Sequence, residues 1–132
     1  MSVSDLALTF ARDGAVVIRG VLDAAAIETL RAGIDANLAS PSANAKIASG
    51  ADDPGQFIED FCTWQANAPY RQLIWNSPLP RLAAQLTGSK QVRLYHDHML
   101  TKAAGTRQPT PWHQDQPYYN IDGRQTVSFW IP

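Results

Sequence analysis

The chain lacks the features that mark secreted and membrane-embedded proteins. Its single cysteine, Cys62, excludes an internal disulfide, and the N-terminus has neither the basic start nor the long apolar run of a signal peptide. No apolar stretch approaches the roughly 20 residues that a membrane-spanning helix needs, and Arg19 interrupts the run VVIRGVL after a few positions. These absences predict a cytoplasmic protein with no membrane partner.

Clustered positive charge is also missing. The chain has 11 Lys and Arg against 12 Asp and Glu, a formal net charge of -1, and no basic run that could follow a phosphate backbone. Nucleic acid is therefore not an expected partner. What the chain does have is a 45% share of hydrophobic residues over 132 positions, which is sufficient for one domain with a buried core.

The first part of the chain has the start and stop signals of helices. Residues 4–13, which end before Gly14, predict a short helix. Asp23 can cap a second helix over about residues 24–38. One face of that helix would carry an apolar stripe and pack on another element: Ile27, Leu30, Ile34 and Leu38.

Three further segments complete the first two thirds. Residues 15–22 are rich in β-branched side chains between glycines and predict a strand. Residues 39–55 are rich in Ser, Ala, Asn, Asp and Gly, so no regular element is expected there. Ser77 and Pro78 then open another helix that ends before Gly88.

After Gly88 the apolar period changes to two, which is typical of strands. Strands are expected over about residues 90–101, 112–117 and 125–131, with a turn at Asp122 and Gly123 before the last. The expected class is α+β. A mainly helical part, residues 1–88, would precede the first strands of a sheet, residues 89–132.

The most informative segment is Thr110-Pro111-Trp112-His113-Gln114-Asp115. If residues 112–117 form a strand, His113 and Asp115 point to the same side of it, because side chains alternate with a period of two. An imidazole and a carboxylate that converge supply two corners of the facial triad of two His and one carboxylate that holds Fe(II). Alone, His-x-Asp is a weak signal, since a surface His beside an Asp usually binds no metal.

The neighbouring residues make the signal specific. The last forty residues resemble the phytanoyl-CoA dioxygenase family in order and spacing, and the helix-strand-helix start resembles it more weakly. The segments that carry the resemblance are Tyr95 to Lys102, Thr110 to Asp115, Tyr118-Tyr119, Asp122-Gly123 and Val127 to Pro132.

The resemblance implies a double-stranded β-helix, that is, a cupin-like jelly roll, which binds Fe(II), chelates 2-oxoglutarate, activates O2 and hydroxylates an aliphatic carbon of a small organic substrate. His113 and Asp115 match the first two iron ligands. Asp115 further implies hydroxylation, since halogenating relatives have a small residue there. Four positions match residues around 2-oxoglutarate: Met99, Thr110, Gln114 and Trp130.

The chain departs from the family pattern in what it does not contain. The second His ligand and the Arg that pairs the 2-oxoglutarate carboxylate belong to downstream strands that residues 1–132 do not include. We therefore expect one incomplete domain, low metal affinity and little activity. The alternative is a non-catalytic half-domain that self-associates through the uncovered faces around Leu94, Val127 and Phe129.

A second chemical alternative uses other histidines. His96 and His98 could hold a metal in a cupin-like site. The resemblance favours a simpler interpretation, in which both lie on a strand before Met99 and do not bind iron.

Overall fold

The computed structural model describes residues 3–132, so residues 1 and 2 of the expected domain lie outside the described part. Within that part the chain is α+β, with four α-helices and one small antiparallel sheet, as expected. In chain order the elements are α1 (Val3–Asp13), α2 (Ala24–Ala39), β1 (Lys46–Ile47), β2 (Phe57–Phe61), α3 (Ala68–Asn76), α4 (Leu79–Thr87), β3 (His98–Lys102) and the 3-10 helix Gln116–Tyr118.

Helices α1 and α4 follow the capping signals in the sequence. α1 ends at Gly14, which adopts a left-handed conformation (φ 76°) and donates its N–H to the Phe10 carbonyl at 2.9 Å. α4 ends at Gly88 in the same conformation (φ 64°). The two helices contact each other, and each contributes one buried leucine, Leu6 and Leu86. The expected helices are confirmed.

Helices α2 and α3 pack closely where Gly33 meets the side chain of Tyr70. Asp23 caps α2 by accepting the Ala26 N–H at 2.8 Å, as expected. The buried positions of α2 are Gly33 and Asn37, however, while the predicted apolar stripe is only partly covered. Gly33 lies under the ring of Tyr70 from α3, so close that a Cβ there would be 2.5 Å from Tyr70 Cδ1. The contact between the helices therefore depends on a small residue, which the stripe did not indicate.

The sheet has the order β1-β2-β3 and lies partly where no strand was expected. β2 pairs antiparallel with β3, with Phe57 opposite Lys102 and Phe61 opposite His98. β1 lies inside residues 39–55, for which no regular element was expected, and β2 follows that segment directly. Phe57 and Met99 are the buried hydrophobic residues of the sheet.

Three predicted strands are wrong. Residues 15–22, 112–117 and 125–131 form no paired strand, and the strand expected over residues 90–101 is reduced to β3. A strand depends on a hydrogen-bonded neighbour as well as on β-branched composition, and no such ladder reaches these three segments in the described part. The double-stranded β-helix is accordingly not seen within residues 3–132.

A buried polar network joins the sheet to α2. Asp60 on β2 has no exposed surface and accepts hydrogen bonds from Asn37 Nδ2 and the Ser42 N–H, each at 2.8 Å, and from the Ser42 hydroxyl. Burial by itself raises the pKa of Asp60, but these donors and the Phe61 N–H outweigh it, so its pKa lies below the ordinary value. The carboxylate is therefore ionised in the interior and fixes the segment that leads into β1.

Asp97 holds the turn after β2 in a similar way. Its carboxylate accepts hydrogen bonds from the Thr63 hydroxyl at 2.7 Å and from the N–H groups of Thr63 and Trp64 at 3.2 Å. The turn contains Cys62 in a left-handed conformation (φ 57°), which is uncommon for a residue other than glycine.

Burial together with the charges of Asp97 and Asp60 raises the pKa of Tyr70 to about 12.

Among the helices of residues 3–132, none combines the length and the apolar character needed to cross a bilayer.

Candidate functional site

The two predicted iron ligands lie side by side in the loop after β3. His113 Nε2 is 3.2 Å from Asp115 Oδ1, and the two side chains are 41% and 49% exposed. Their convergence was expected, but its cause differs from the expectation. The residues are not on a strand: Asp115 has helical dihedral angles (φ -73°, ψ -33°) and begins the 3-10 helix Gln116–Tyr118. The loop conformation therefore brings the pair together.

The His113 ring is oriented by the backbone. Its Nδ1 is 2.7 Å from the Pro111 carbonyl oxygen, and a carbonyl can only accept, so Nδ1 carries a proton. In the neutral imidazole, Nε2 then has a lone pair that faces the Asp115 carboxylate. A nitrogen lone pair and a carboxylate oxygen 3.2 Å apart can share a proton or bind one metal ion. The arrangement is compatible with two ligands of one metal ion.

Asp115 is also held from its other side. The Ser128 hydroxyl donates to Asp115 Oδ2 at 3.2 Å, and Tyr119 Oη is 3.2 Å from Ser128 Oγ. Ser128 belongs to the irregular segment 125–131, which contacts the 3-10 helix through a hydrogen bond from Thr126 to Gln116. The two oxygens of Asp115 therefore have different partners, His113 at Oδ1 and Ser128 at Oδ2.

Aromatic side chains connect the motif loop to the segment that precedes β3. The Tyr119 ring lies 5.3 Å from the Tyr95 ring and 5.5 Å from the His96 ring, between centroids. The Asn120 N–H donates to Tyr95 Oη at 3.2 Å. Tyr119 thus joins two segments. Its ring contacts Tyr95 and His96 before β3, and its hydroxyl contacts Ser128 in segment 125–131.

His98 lies on the exposed face of β3, opposite Phe61, and its ring stacks on that of Phe61 at 4.0 Å. Its Nε2 is 3.3 Å from Glu59 Oε2. Burial lowers the pKa of His98, and the negative charges of Glu59 and, more weakly, Asp115 oppose the shift without cancelling it. His96 lies nearby, with its ring centroid 6.4 Å from that of His98. Even so, residues 3–132 contain no group of three His, Cys, Asp or Glu side chains able to hold a metal ion.

The four residues expected around 2-oxoglutarate have different environments. Met99 is buried in β3, and its Sδ accepts a hydrogen bond from the Thr101 hydroxyl at 2.9 Å. Thr110 Oγ1 accepts a hydrogen bond from Lys102 Nζ at 2.9 Å. Gln114 is exposed, and Trp130 is 83% exposed. Across the described residues, no hydrogen bond joins any of the four to His113 or Asp115.

An open cavity of about 230 Å³ lies beside the carboxylate of the pair. Its wall combines the end of α1, the 3-10 helix and the segment that carries Ser128. The residues that line it are Phe10, Gly14, Asp115, Gln116, Tyr119, Thr126, Val127 and Ser128. The arrangement offers a mixed apolar and polar space directly next to a candidate metal ligand.

The family of the chain follows from comparison with known proteins. The family model described as phytanoyl-CoA dioxygenase (PhyH) matches residues 10–132, so the chain belongs to that family. Its members are generally dioxygenases and typically depend on Fe(II) and 2-oxoglutarate. Comparison with curated proteins and with solved structures gave no match.

Sequence reasoning did not find the residues that surround the pair. Ser128 lies within a predicted strand and Tyr119 within a segment that carries the family resemblance, and neither is assigned a contact with the pair from the sequence. A serine 13 positions from its carboxylate partner has no local signal, because the contact exists only when segment 125–131 lies against the 3-10 helix. The ionised Asp60 had no signal either, since its donors come from α2 and the loop after it.

Proposed function

We propose that this chain carries part of the active site of an Fe(II) and 2-oxoglutarate dependent oxygenase, with His113 and Asp115 as two of the iron ligands. The observation that carries the proposal is the pair of facing acceptors, His113 Nε2 and Asp115 Oδ1, 3.2 Å apart. Both lie within the segment matched to the phytanoyl-CoA dioxygenase family. Fe(II) would supply the open coordination positions at which a chelating cosubstrate and O2 bind.

The reaction proposed is hydroxylation of an aliphatic carbon in a small organic substrate. Asp115 supports this assignment, because its carboxylate occupies the position that chloride would need in a halogenating site. The cavity beside it, with Phe10 and Val127 as apolar walls, supports a substrate with an apolar part. We place the protein in the cytoplasm on its sequence features alone.

Met99, Thr110, Gln114 and Trp130 are the proposed contacts of 2-oxoglutarate. Thr110 is supported by its neighbour, since Lys102 Nζ binds the Thr110 hydroxyl and brings a positive charge to a position proposed to meet a dicarboxylate. Gln114 and Trp130 are exposed and therefore free to contact a ligand. Met99 would act from the buried face of β3.

We further propose that residues 1–132 form one domain that is incomplete as an oxygenase, in which the double-stranded β-helix is only begun. The two proposed ligands lie 3.2 Å apart, and the described residues contain no group of three such side chains. Two protein ligands leave most of the coordination sphere to water, so we expect this chain by itself to bind iron weakly and to show little activity.

Anaerobic titration with Fe(II) in the presence of 2-oxoglutarate tests the proposal. The expected result is a weak visible charge-transfer band that H113A and D115A abolish, because each variant removes one ligand. D52A is the matched control, since Asp52 is an exposed acid outside the site. A band that is absent from the unmodified chain, or that survives in H113A and D115A, overturns the assignment.

A second candidate function is a non-catalytic half-domain that assembles with a copy of itself. Three aromatic side chains around the motif favour it: Trp112 is 103% exposed, Trp130 83% and Tyr118 74%. Exposed aromatic groups of this number are typical of surfaces that bury against another chain. Sedimentation over a concentration series tests this function. Self-association that W112S and W130S weaken supports it, and a monomer at all concentrations contradicts it.

A further inference from the structure

The carboxylate of Asp115 has a specific orientation that its own sequence position does not explain. The last torsion of an aspartate side chain is broad, so the plane of the carboxylate can take many angles relative to His113. About half of the Asp115 side chain is exposed. A directional contact can fix this angle, and the hydroxyl of Ser128 at Oδ2 provides one.

Counting protons determines the direction of the hydrogen bonds. An ionised carboxylate can only accept, so Ser128 must donate its single hydroxyl proton to Asp115 Oδ2. Ser128 Oγ then has only lone pairs left for Tyr119, so Tyr119 must be the donor in the contact at 3.2 Å. The result is a single chain of donors, Tyr119 to Ser128 to Asp115, in which each hydrogen bond polarises the next.

The Tyr119 end of this chain is anchored. Its ring lies against the rings of Tyr95 and His96, which belong to the segment before β3. The Tyr119 ring is therefore held against the segment before β3, and its hydroxyl in turn contacts Ser128. Oδ2 of Asp115 is thereby occupied, and Oδ1 is left to face His113 Nε2.

We propose that Ser128 is a positioning residue for the metal ligand Asp115, and that Tyr119 orients Ser128. This inference rests on the proposed function, because it concerns how the carboxylate is presented to a divalent cation. Occupying Oδ2 keeps the carboxylate monodentate through Oδ1. Hydrogen-bond partners of a metal ligand typically contribute 10- to 100-fold to metal affinity. Because Asp115 and Ser128 are both solvent-exposed, we expect an effect of about tenfold.

Anaerobic titration of the full chain with Co(II) tests the inference without requiring turnover. Affinity is measured directly, and the intensity of the visible Co(II) bands reports the number of ligands. We expect S128A to bind Co(II) about tenfold more weakly, with weaker bands as Asp115 becomes free to bind through both oxygens. S128T, which retains the hydroxyl, should restore affinity and spectrum, while Y119F should lie between S128A and the unmodified chain.

The matched control is S40A. Ser40 is an exposed serine whose capping of α2 uses its backbone N–H, so its hydroxyl is dispensable. Equal affinity and equal spectra in S128A and the unmodified chain overturn the inference and leave the proposed function intact. Equal losses in S128A and S128T also overturn it, because the hydroxyl would then have no role. Failure of the unmodified chain to bind Co(II) overturns both proposals. If S128A does not fold, Y119F and S128T decide the matter.

Discussion

Residues 3–102 and residues 103–132 are held by different kinds of interaction. The first part contains the helices and the sheet, and all of the buried hydrophobic side chains lie there: Leu6, Phe57, Tyr70, Leu73, Leu86 and Met99. In residues 103–132 no residue is buried, and the contacts that place the candidate metal pair are single hydrogen bonds between half-exposed groups. Burial thus stabilises the part without the motif, whereas directional polar contacts shape the part that carries it.

The largest effect is expected from breaking the polar network in the packed part. D60A leaves Asn37 Nδ2 and the Ser42 N–H without an acceptor in the interior, and each unsatisfied donor costs about 1 to 3 kcal/mol. We expect a loss of about 3 kcal/mol or more in the free energy of unfolding, measured by urea denaturation. D52A, at an exposed acid, should stay within about 0.5 kcal/mol of the unmodified chain. A loss below about 1 kcal/mol in D60A would contradict the role given to the network.

The next largest effect should come from the contact between α2 and α3. G33A places a Cβ 2.5 Å from the Tyr70 ring, so the helices must move apart, at a typical cost of about 1 to 3 kcal/mol. Gly50 is the matched control, because a Cβ there would meet open space. Denaturation of G33A and G50A side by side measures the difference. Equal stability of the two variants would show that the interface adapts without cost.

The loss of stability at low pH should also originate in residues 3–102. The folded pKa of Asp60 is lowered from 3.8, so its contribution is fully present above pH 3.8 and is lost as the pH falls through the lower folded pKa. D60N should therefore flatten the decline of stability below pH 3.8. The flattening is partial, because the pKa of Asp53 and that of Asp13 are lowered as well. A slope unchanged in D60N, measured by denaturation between pH 2 and 5, would contradict this account.

The smallest effect on stability is expected at the motif itself. His113 is 41% exposed and has one backbone hydrogen bond, so H113A should change the free energy of unfolding by no more than about 0.5 kcal/mol. The same variant should lose the metal-dependent signal, which separates function from folding. Thermal and urea unfolding provide the measurement. If H113A destabilises the chain as much as G33A does, residues 3–102 and residues 103–132 unfold as one cooperative unit. That result would contradict the difference drawn between them.

The helices illustrate what local signals can predict. The bounds of α1, α2 and α4 follow from Gly14, Asp23 and Gly88, because capping is a contact between residues three or four apart. The strands illustrate the opposite case. Residues 125–131 have strand composition and form no ladder, whereas Lys46–Ile47 has little strand signal and pairs with β2. Pairing depends on a distant neighbour that composition does not reveal.

The sequence by itself determined the family, the α+β class and the choice of His113 and Asp115 as the candidate pair, since all three depend on residue types and on short spacings. Tertiary structure alone decided how the pair is presented. A loop and a 3-10 helix, in place of a strand, bring Nε2 within 3.2 Å of Oδ1. Ser128 and Tyr119 reach Asp115 because separate segments lie together, and the ionised Asp60 is tolerated because α2 supplies a donor. Such contacts join residues far apart in sequence, and their free energy depends on distances that no local pattern specifies.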